Sequence, residues 1–203
     1  MTKLYLIRHG QKEEMRGDPF LTKIGEEQAR ITAEYLKSSG ISAIYTSPMN
    51  RTQQTAEIIA EKIGLEIKTD DRLRERVEFD SKSPFETFED FMKEWIKTDK
   101  DRNYVPVYGD SSVNCGQRIK ETIEEVVNNN INKTILFVTH GGAIGDFLRT
   151  VFDKNSLRYV LNRKYGVEFI NILECSITNV VRKDDEYVLK SLSDVSHLIT
   201  PIL

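Results

Sequence analysis

Leu4–Gln11, LYLIRHGQ, runs four apolar or aromatic residues straight into an arginine, a histidine and a glycine. The apolar run is too short for a helix and suits a strand buried on both faces. Lys133–Gly142, KTILFVTHGG, repeats the layout with a histidine followed by two glycines. Between these runs, strand-like and helix-like segments alternate. TKIGEEQARITAEYLKSSG (22–40) places Ile24, Gln28, Ile31, Tyr35 and Leu36 at helical spacing, with Thr22 as N-cap and Gly40 as terminator. ISAIYTS (41–47) reads as a strand, and Pro48 opens a helix over MNRTQQTAEIIAEKIG (49–64) that ends at Gly64. LEIKT (65–69) reads as a third strand. This rhythm predicts an α/β three-layer sandwich: a mostly parallel central sheet with helices on both faces.

The 203 residues are enough for one sizeable domain, read as a single α/β unit over 1–203. With 39% hydrophobic and 30% charged residues the chain has an ordinary globular composition, and its net charge of −3 argues against a nucleic-acid partner. No apolar run approaches the ~18 residues of a membrane helix, and the N-terminus lacks the pattern of a signal peptide. These features predict a cytoplasmic protein without a membrane partner. The two cysteines, Cys115 and Cys175, lack metal-site spacing and are expected as free thiols.

From about residue 76 to 109 the alternation breaks into an aromatic, charged insertion. Phe85, Phe88, Phe91, Met92 and Trp95 could stripe one helix face. One reading has them pin the segment to the main domain; the other makes the segment a lid, with Phe79, Phe85, Tyr104 and Tyr108 lining it. The rhythm then resumes. Ser111 or Ser112 caps a helix with Val113, Ile119, Ile123 and Val126 inward, and AIGDFLRTVF (143–152) forms the helix after the second histidine. EFINILECS (168–176), ITNVVRK (177–183) and EYVLKSLS (186–193) read as late strands, the last two a hairpin around KDDE.

Ligands of open parallel sheets bind outside the carboxyl ends of the strands. If the strands before His9 and His140 are neighbours, both imidazoles face one crevice. Gly10 and Gly141 would bring backbone N–H groups near a ligand. Arg51 starts the helix after the second strand, on the same edge. Two arginines, two imidazoles and a helix N-terminus suit a phosphoryl group, so the pattern alone reads as an anion site. THGGAIGD lacks the GxGxxG spacing of a dinucleotide loop.

LIRHGQ, LTKIGEEQA, SPMNRTQQTA, LRER and VTHGGAIGDFL, in this order, resemble the histidine phosphatase superfamily in its phosphoglycerate mutase-like branch. The resemblance spreads over most of the chain. It implies a phosphohistidine mechanism with no metal or cofactor. His9 would be the nucleophile, with its second ring nitrogen held by a backbone carbonyl, that of Gly10. Arg8, Arg51 and His140 would bind the phosphoryl oxygens. Glu75 matches the family's proton donor, with Glu78, Glu13 and Glu14 as rivals. Arg74 and Arg76 flank Glu75 and would lower its pKa; burial would raise it. Arg72, Arg74, Arg76 and Lys82 would suit acidic or multiply phosphorylated substrates, but are read first as a solvated charged face.

Three departures matter. Lys12 and Met15 stand where many members place Thr and a phosphate-holding Asn, leaving Arg16 or Lys12 as substitutes. Asp110 in YGDSS replaces a Glu. Glycine rather than aspartate after His140 disfavours the phytase-like branch. His197 is read as structural. The short insertion, and the absence of a shielding segment after His197, favour a phosphatase acting on a small phosphorylated substrate over a mutase. A non-catalytic phospho-ligand binding module is the alternative of another class, and the pattern leaves the oligomeric state open.

Overall fold

The computed structural model describes residues 1–153, 157 and 170–199. Chain order is β1 (Thr2–Arg8), α1 (Lys23–Leu36), β2 (Ile41–Thr46), α2 (Asn50–Ile63), β3 (Ile67–Thr69), a 3-10 turn (Asp71–Leu73), α3 (Phe88–Lys100), α4 (Ser112–Asn128), β4 (Thr134–Thr139), α5 (Gly141–Val151), β5 (Ile177–Lys183), β6 (Glu186–Asp194) and α6 (Ser196–Ile199). Among the described residues the sheet has six strands in the order β3-β2-β4-β1-β5-β6. β1 to β4 pair in parallel, and β5 and β6 run antiparallel along one edge.

Alternation along the buried strands explains the three layers. Leu4, Leu6, Ile135 and Phe137 pack against Ile119 and Ile123 of α4 and Phe147 of α5. Their neighbours Tyr5, Ile7, Leu136 and Val138 turn the other way, onto Ala33 and Leu36 of α1 and Ile59 of α2. Each large side chain so buried contributes about 1.5–3 kcal/mol of transfer free energy. Strands packed between two such layers are apolar through their middles, and the charged or imidazole side chains of Arg8, His9 and His140 come at or just after their carboxyl ends.

Several expectations need correction. α1 does not bury Ile24 or Tyr35, which are 61% and 57% exposed. Its inward face is Gly25, Ala29, Thr32, Ala33 and Leu36. Small residues are selected there because α1 lies against backbone: a Cβ on Gly25 would come within 2.0 Å of the Gln11 carbonyl oxygen. The apolar spacing therefore found Leu36 but missed the small residues that make up the rest of the buried stripe. Thr22 does cap α1, accepting from the Gly25 N–H, but the helix stops at Leu36, ahead of Gly40. α2 starts at Asn50 with Met49 at the N-cap, two residues past Pro48, and Gly64 ends it. Ser111 caps α4, and Val113 faces out at 37% exposure while Ile119, Ile123 and Val126 are buried as expected.

The stretch 170–176 is not a strand; residues 168–169 lie outside the described residues. Cys175 adopts φ +50°, and its N–H donates to the Arg8 carbonyl at 3.0 Å. The chain thus caps the end of β1 instead of joining the sheet. Cys115 and Cys175 are both free and buried. His197 is buried, bonds Thr32 Oγ1 at 3.0 Å and stacks on Tyr35 at 5.1 Å, a structural role. No helix among the described residues is long and apolar enough to cross a membrane.

Candidate active site

The β1–β4 register pairs Arg8 with Thr139, so the residues that follow are His9 and His140. The His9 N–H continues the ladder to the Thr139 carbonyl at 3.0 Å. The rings meet edge to face with centroids 5.4 Å apart. The neighbouring-strand condition for a shared crevice is met.

Gly10 serves His9. Its carbonyl accepts a hydrogen bond from His9 Nδ1 at 2.8 Å, which leaves the lone pair on Nε2. Its N–H donates to Thr55 Oγ1 at 3.1 Å, so it is not an open donor for a ligand, against the sequence expectation. A Cβ at Gly10 would lie 2.5 Å from the Gly25 carbonyl oxygen; only glycine permits this turn beside α1. His9 is buried, and its pKa is held well below 6.5, first by desolvation and then by Arg51 and Arg8. The ring is neutral at neutral pH.

Arg51 occupies the first turn of α2 and is 4% exposed. Its Nη2 donates to His140 Nδ1 at 3.1 Å and lies 2.9 Å from both oxygens of Glu78. An arginine only donates, so His140 Nδ1 is the acceptor and Nε2–H donates to Ser47 Oγ at 2.9 Å. Desolvation, with Arg51 next, also holds the His140 pKa well below 6.5. Arg8 Nη1 donates to the Ile172 carbonyl at 2.8 Å, and its Nη2 lies 3.5 Å from Glu174. Arg8, His9, Arg51, His140 and Gly141 all line one cavity of about 920 Å³.

Glu75 enters the same cavity from the segment after the 3-10 turn. Its Oε2 accepts from the Gly142 N–H in the first turn of α5 at 2.8 Å, and its Oε1 from the Arg76 N–H at 2.9 Å. A Cβ on Gly142 would lie 2.5 Å from Glu75 Oε1 and 2.6 Å from the Trp95 ring, so the second glycine of HGG makes room for both. Desolvation raises the Glu75 pKa above 4.5 and outweighs the opposing charge of Arg76. The charges of Glu78 and of Asp146, a partner of Arg76, add to the rise. Arg76 is 1% exposed, pairs with Asp146 at 3.1 Å and with Asp99, and stacks 4.0 Å from the Trp95 ring. Arg76 is therefore no part of a solvated charged face. Arg72 and Arg74 are surface residues paired with Asp70 and Asp71. Asp110 accepts from Arg118, whose Nη1 donates to the carbonyls of Arg72 and Arg74 and so braces the chain just before Glu75.

The aromatic stripe of α3 faces the cavity: Phe88, Phe91, Met92 and Trp95 line it, together with Phe79. Phe85 precedes the helix and is buried behind Phe91 at 5.9 Å. Tyr104 and Tyr108 are not on the cavity wall; they bond Glu94 and Asp80. Lys12, Met15 and Arg16 line the cavity from the loop after β1. Arg16 is committed to the Asp80 and Ser83 carbonyls at 3.0 and 2.8 Å, which ties this loop to the insertion and leaves Lys12 as the nearer substitute for the missing polar residues. Glu14 lines the cavity too and Glu13 does not.

Sequence reading missed Ser47, Thr55 and the Arg76–Asp146 pair. Ser47 and Thr55 flank Arg51 within SPMNRTQQTA, at i−4 and i+4, a spacing that could have signalled them. Nothing in the sequence marks Asp146 as the partner of a residue 70 positions away.

The geometry has counterparts among known proteins. A probable phosphoglycerate mutase GpmB of Serratia proteamaculans is 31% identical over all of this chain and 98% of its own length. A mutant phosphoserine phosphatase of Entamoeba histolytica, solved with phosphoserine, is 26% identical with a TM-score of 0.74, over 98% of this chain and all of that one. A mycobacterial glucosyl-3-phosphoglycerate phosphatase shares the fold at 22% identity and a TM-score of 0.74, over 96% of this chain and 98% of its own. The family model for the histidine phosphatase superfamily (branch 1) matches residues 4–195, and the chain belongs to that superfamily.

Proposed function

We propose that the protein is a phosphatase that moves the phosphoryl group of a small phosphate monoester onto His9 and then onto water. The observation that carries this reading is the state of His9: Nδ1–H bound to the Gly10 carbonyl, the ring neutral, and a lone pair left on Nε2 beside Arg8, Arg51 and His140. In the first step Nε2 forms a bond to phosphorus as the ester P–O bond breaks, and Glu75 gives its proton to the departing oxygen. In the second step water attacks phosphorus, Glu75 takes the water proton, the N–P bond breaks with its electron pair returning to Nε2, and inorganic phosphate leaves. Arg8, Arg51 and the Nε2–H of His140, once turned from Ser47, meet the charge that spreads over the equatorial oxygens, where positioning and electrostatics do most of the work. A neutral nucleophile and a protonated carboxyl coexist because burial drives the two pKa values in opposite directions.

The 76–109 segment acts as the lid, its aromatic wall excluding water and receiving the non-phosphate part of the substrate. The mechanism calls on no metal and no cofactor, and the composition suits a cytoplasmic enzyme. A second reading, phosphoryl transfer between substrate hydroxyls, is favoured by the mutase name of the Serratia relative. A panel of phosphate esters, with and without EDTA, on wild type and His9→Ala, tests both. Phosphate release that survives EDTA, passes through an acid-labile phosphoenzyme and vanishes in the variant is expected. Transfer between glycerate hydroxyls without release would establish the mutase, and loss with EDTA would sink the metal-free mechanism.

A further inference from the structure

Glu78 is not needed for the chemistry just described, yet it sits at its centre. Its side chain is 12% exposed, lines the cavity, and places both oxygens 2.9 Å from Arg51 Nη2. Arg51 has its Nη1 3.6 Å from Asp18, and its buried Nε has no hydrogen-bond partner. The guanidinium meant for a phosphoryl group is thus held by a carboxylate, whose two oxygens imitate two of the oxygens of that group.

We propose, on the phosphoryl-site reading above, that Glu78 is a displaceable internal occupant of the oxyanion site. It clamps Arg51 while the site is empty and must let go, taking up a proton or rotating aside, before a dianion can bind. A bound dianion and a carboxylate on the same Nη2 repel, so one of them yields. When product phosphate leaves, Glu78 returns to Arg51 and competes against rebinding. The residue therefore sets affinity for oxyanions and product inhibition rather than the bond-breaking step.

Its surroundings make proton uptake feasible. Desolvation raises the Glu78 pKa above 4.5, opposed by Arg51 and Arg74 and assisted by Asp80. Lys12, on the loop after β1, interacts with Glu78 and has a lowered pKa of its own, and Glu75 and Tyr108 also feel its charge.

Sulfate is a suitable probe because it stays a dianion from pH 5 to 8, so any pH dependence belongs to the protein. Calorimetric binding of sulfate to the full chain is expected to tighten as pH falls in wild type. Glu78→Gln should bind about tenfold more tightly at pH 8 and lose most of the pH dependence, and Glu78→Ala should do the same. Arg51→Ala should abolish binding in either background. Inorganic phosphate should inhibit turnover of Glu78→Gln at correspondingly lower concentration. If wild type binds sulfate through Arg51 but Glu78→Gln binds it equally or more weakly, the proposal is wrong and Glu78 merely orients Arg51, while the phosphoryl-site reading stands. Sulfate binding that ignores Arg51→Ala also overturns it. Failure of every protein to bind sulfate or phosphate removes both readings.

Discussion

Arg8 and His9 are held by main chain, the β1–β4 ladder and the Ile172 and Gly10 carbonyls, and His140 follows the same ladder with its ring fixed by Arg51 and Ser47. Across the same cavity, Arg76, Phe91 and Trp95 are held by side chains: a buried ion network with Asp146 and Asp99, and a run of ring contacts among Phe79, Phe85, Phe88, Phe91 and Trp95 at 5.5–6.0 Å. Backbone hydrogen bonds are indifferent to side-chain substitution, so the strand-end half keeps its geometry whatever surrounds it. The insertion half depends on which side chains it contains. On the proposed function, phosphoryl chemistry belongs to the first half and substrate selection to the second.

The contrast can be broken most severely at His9. His9→Ala should abolish phosphate release while shifting Tm little, since the β1–β4 ladder does not use the ring. A Tm loss of more than about 8 °C would mean the imidazole is part of the scaffold. Glu75→Gln should lower kcat by about 10²–10⁴-fold with alkyl phosphates and far less with aryl phosphates, whose leaving groups need no proton. The pH profile gives the sign. His9 must be neutral, which lower pH opposes, and its lowered pKa puts the acid limb below 6.5. Glu75 must be protonated, which higher pH opposes, and its raised pKa puts the alkaline limb above 4.5. Activity should therefore peak between the two limbs, and Glu75→Gln should lose the alkaline limb alone.

Asp146→Ala tests the other half. It strips a buried guanidinium of one of its two carboxylate partners, leaving Asp99, and should cost up to about 3–5 kcal/mol in urea unfolding. In the protein that remains folded, the less compensated Arg76 should lower the Glu75 pKa and move the alkaline limb to lower pH. An unmoved limb would show that Arg76 does not communicate with Glu75. The smallest effect is expected at Phe91→Ala: KM up about three- to tenfold for esters with apolar groups, kcat nearly unchanged. Equal effects on small and bulky esters would count against the insertion as the selecting wall.

The strand-end half was legible because its logic is one-dimensional. An apolar run ending in Arg8-His9-Gly10 or His140-Gly141-Gly142 announces both the strand and the residue it delivers. The insertion was only half legible. Its aromatic stripe could be read at helical spacing, but not whether it faced the domain core or a cavity. Arg76 looked like one of several surface cations. α1 misled for a related reason: close approach to the Gln11 backbone selects glycine and alanine, which an apolar count overlooks.

By itself the sequence determined the α/β layering and the strand ends that carry the histidines, which follow from local periodicity and from where polarity returns after burial. The expected roster of Arg8, His9, Arg51, Glu75 and His140 came from the family resemblance of its motifs. Only the tertiary structure decided that the Gly10 N–H is spent on Thr55, that burial raises the Glu75 pKa against the charge of Arg76, and that Glu78 holds Arg51. Each of these depends on charge and desolvation among residues brought together from distant parts of the chain, and no local pattern encodes the dielectric of a place that exists only after folding.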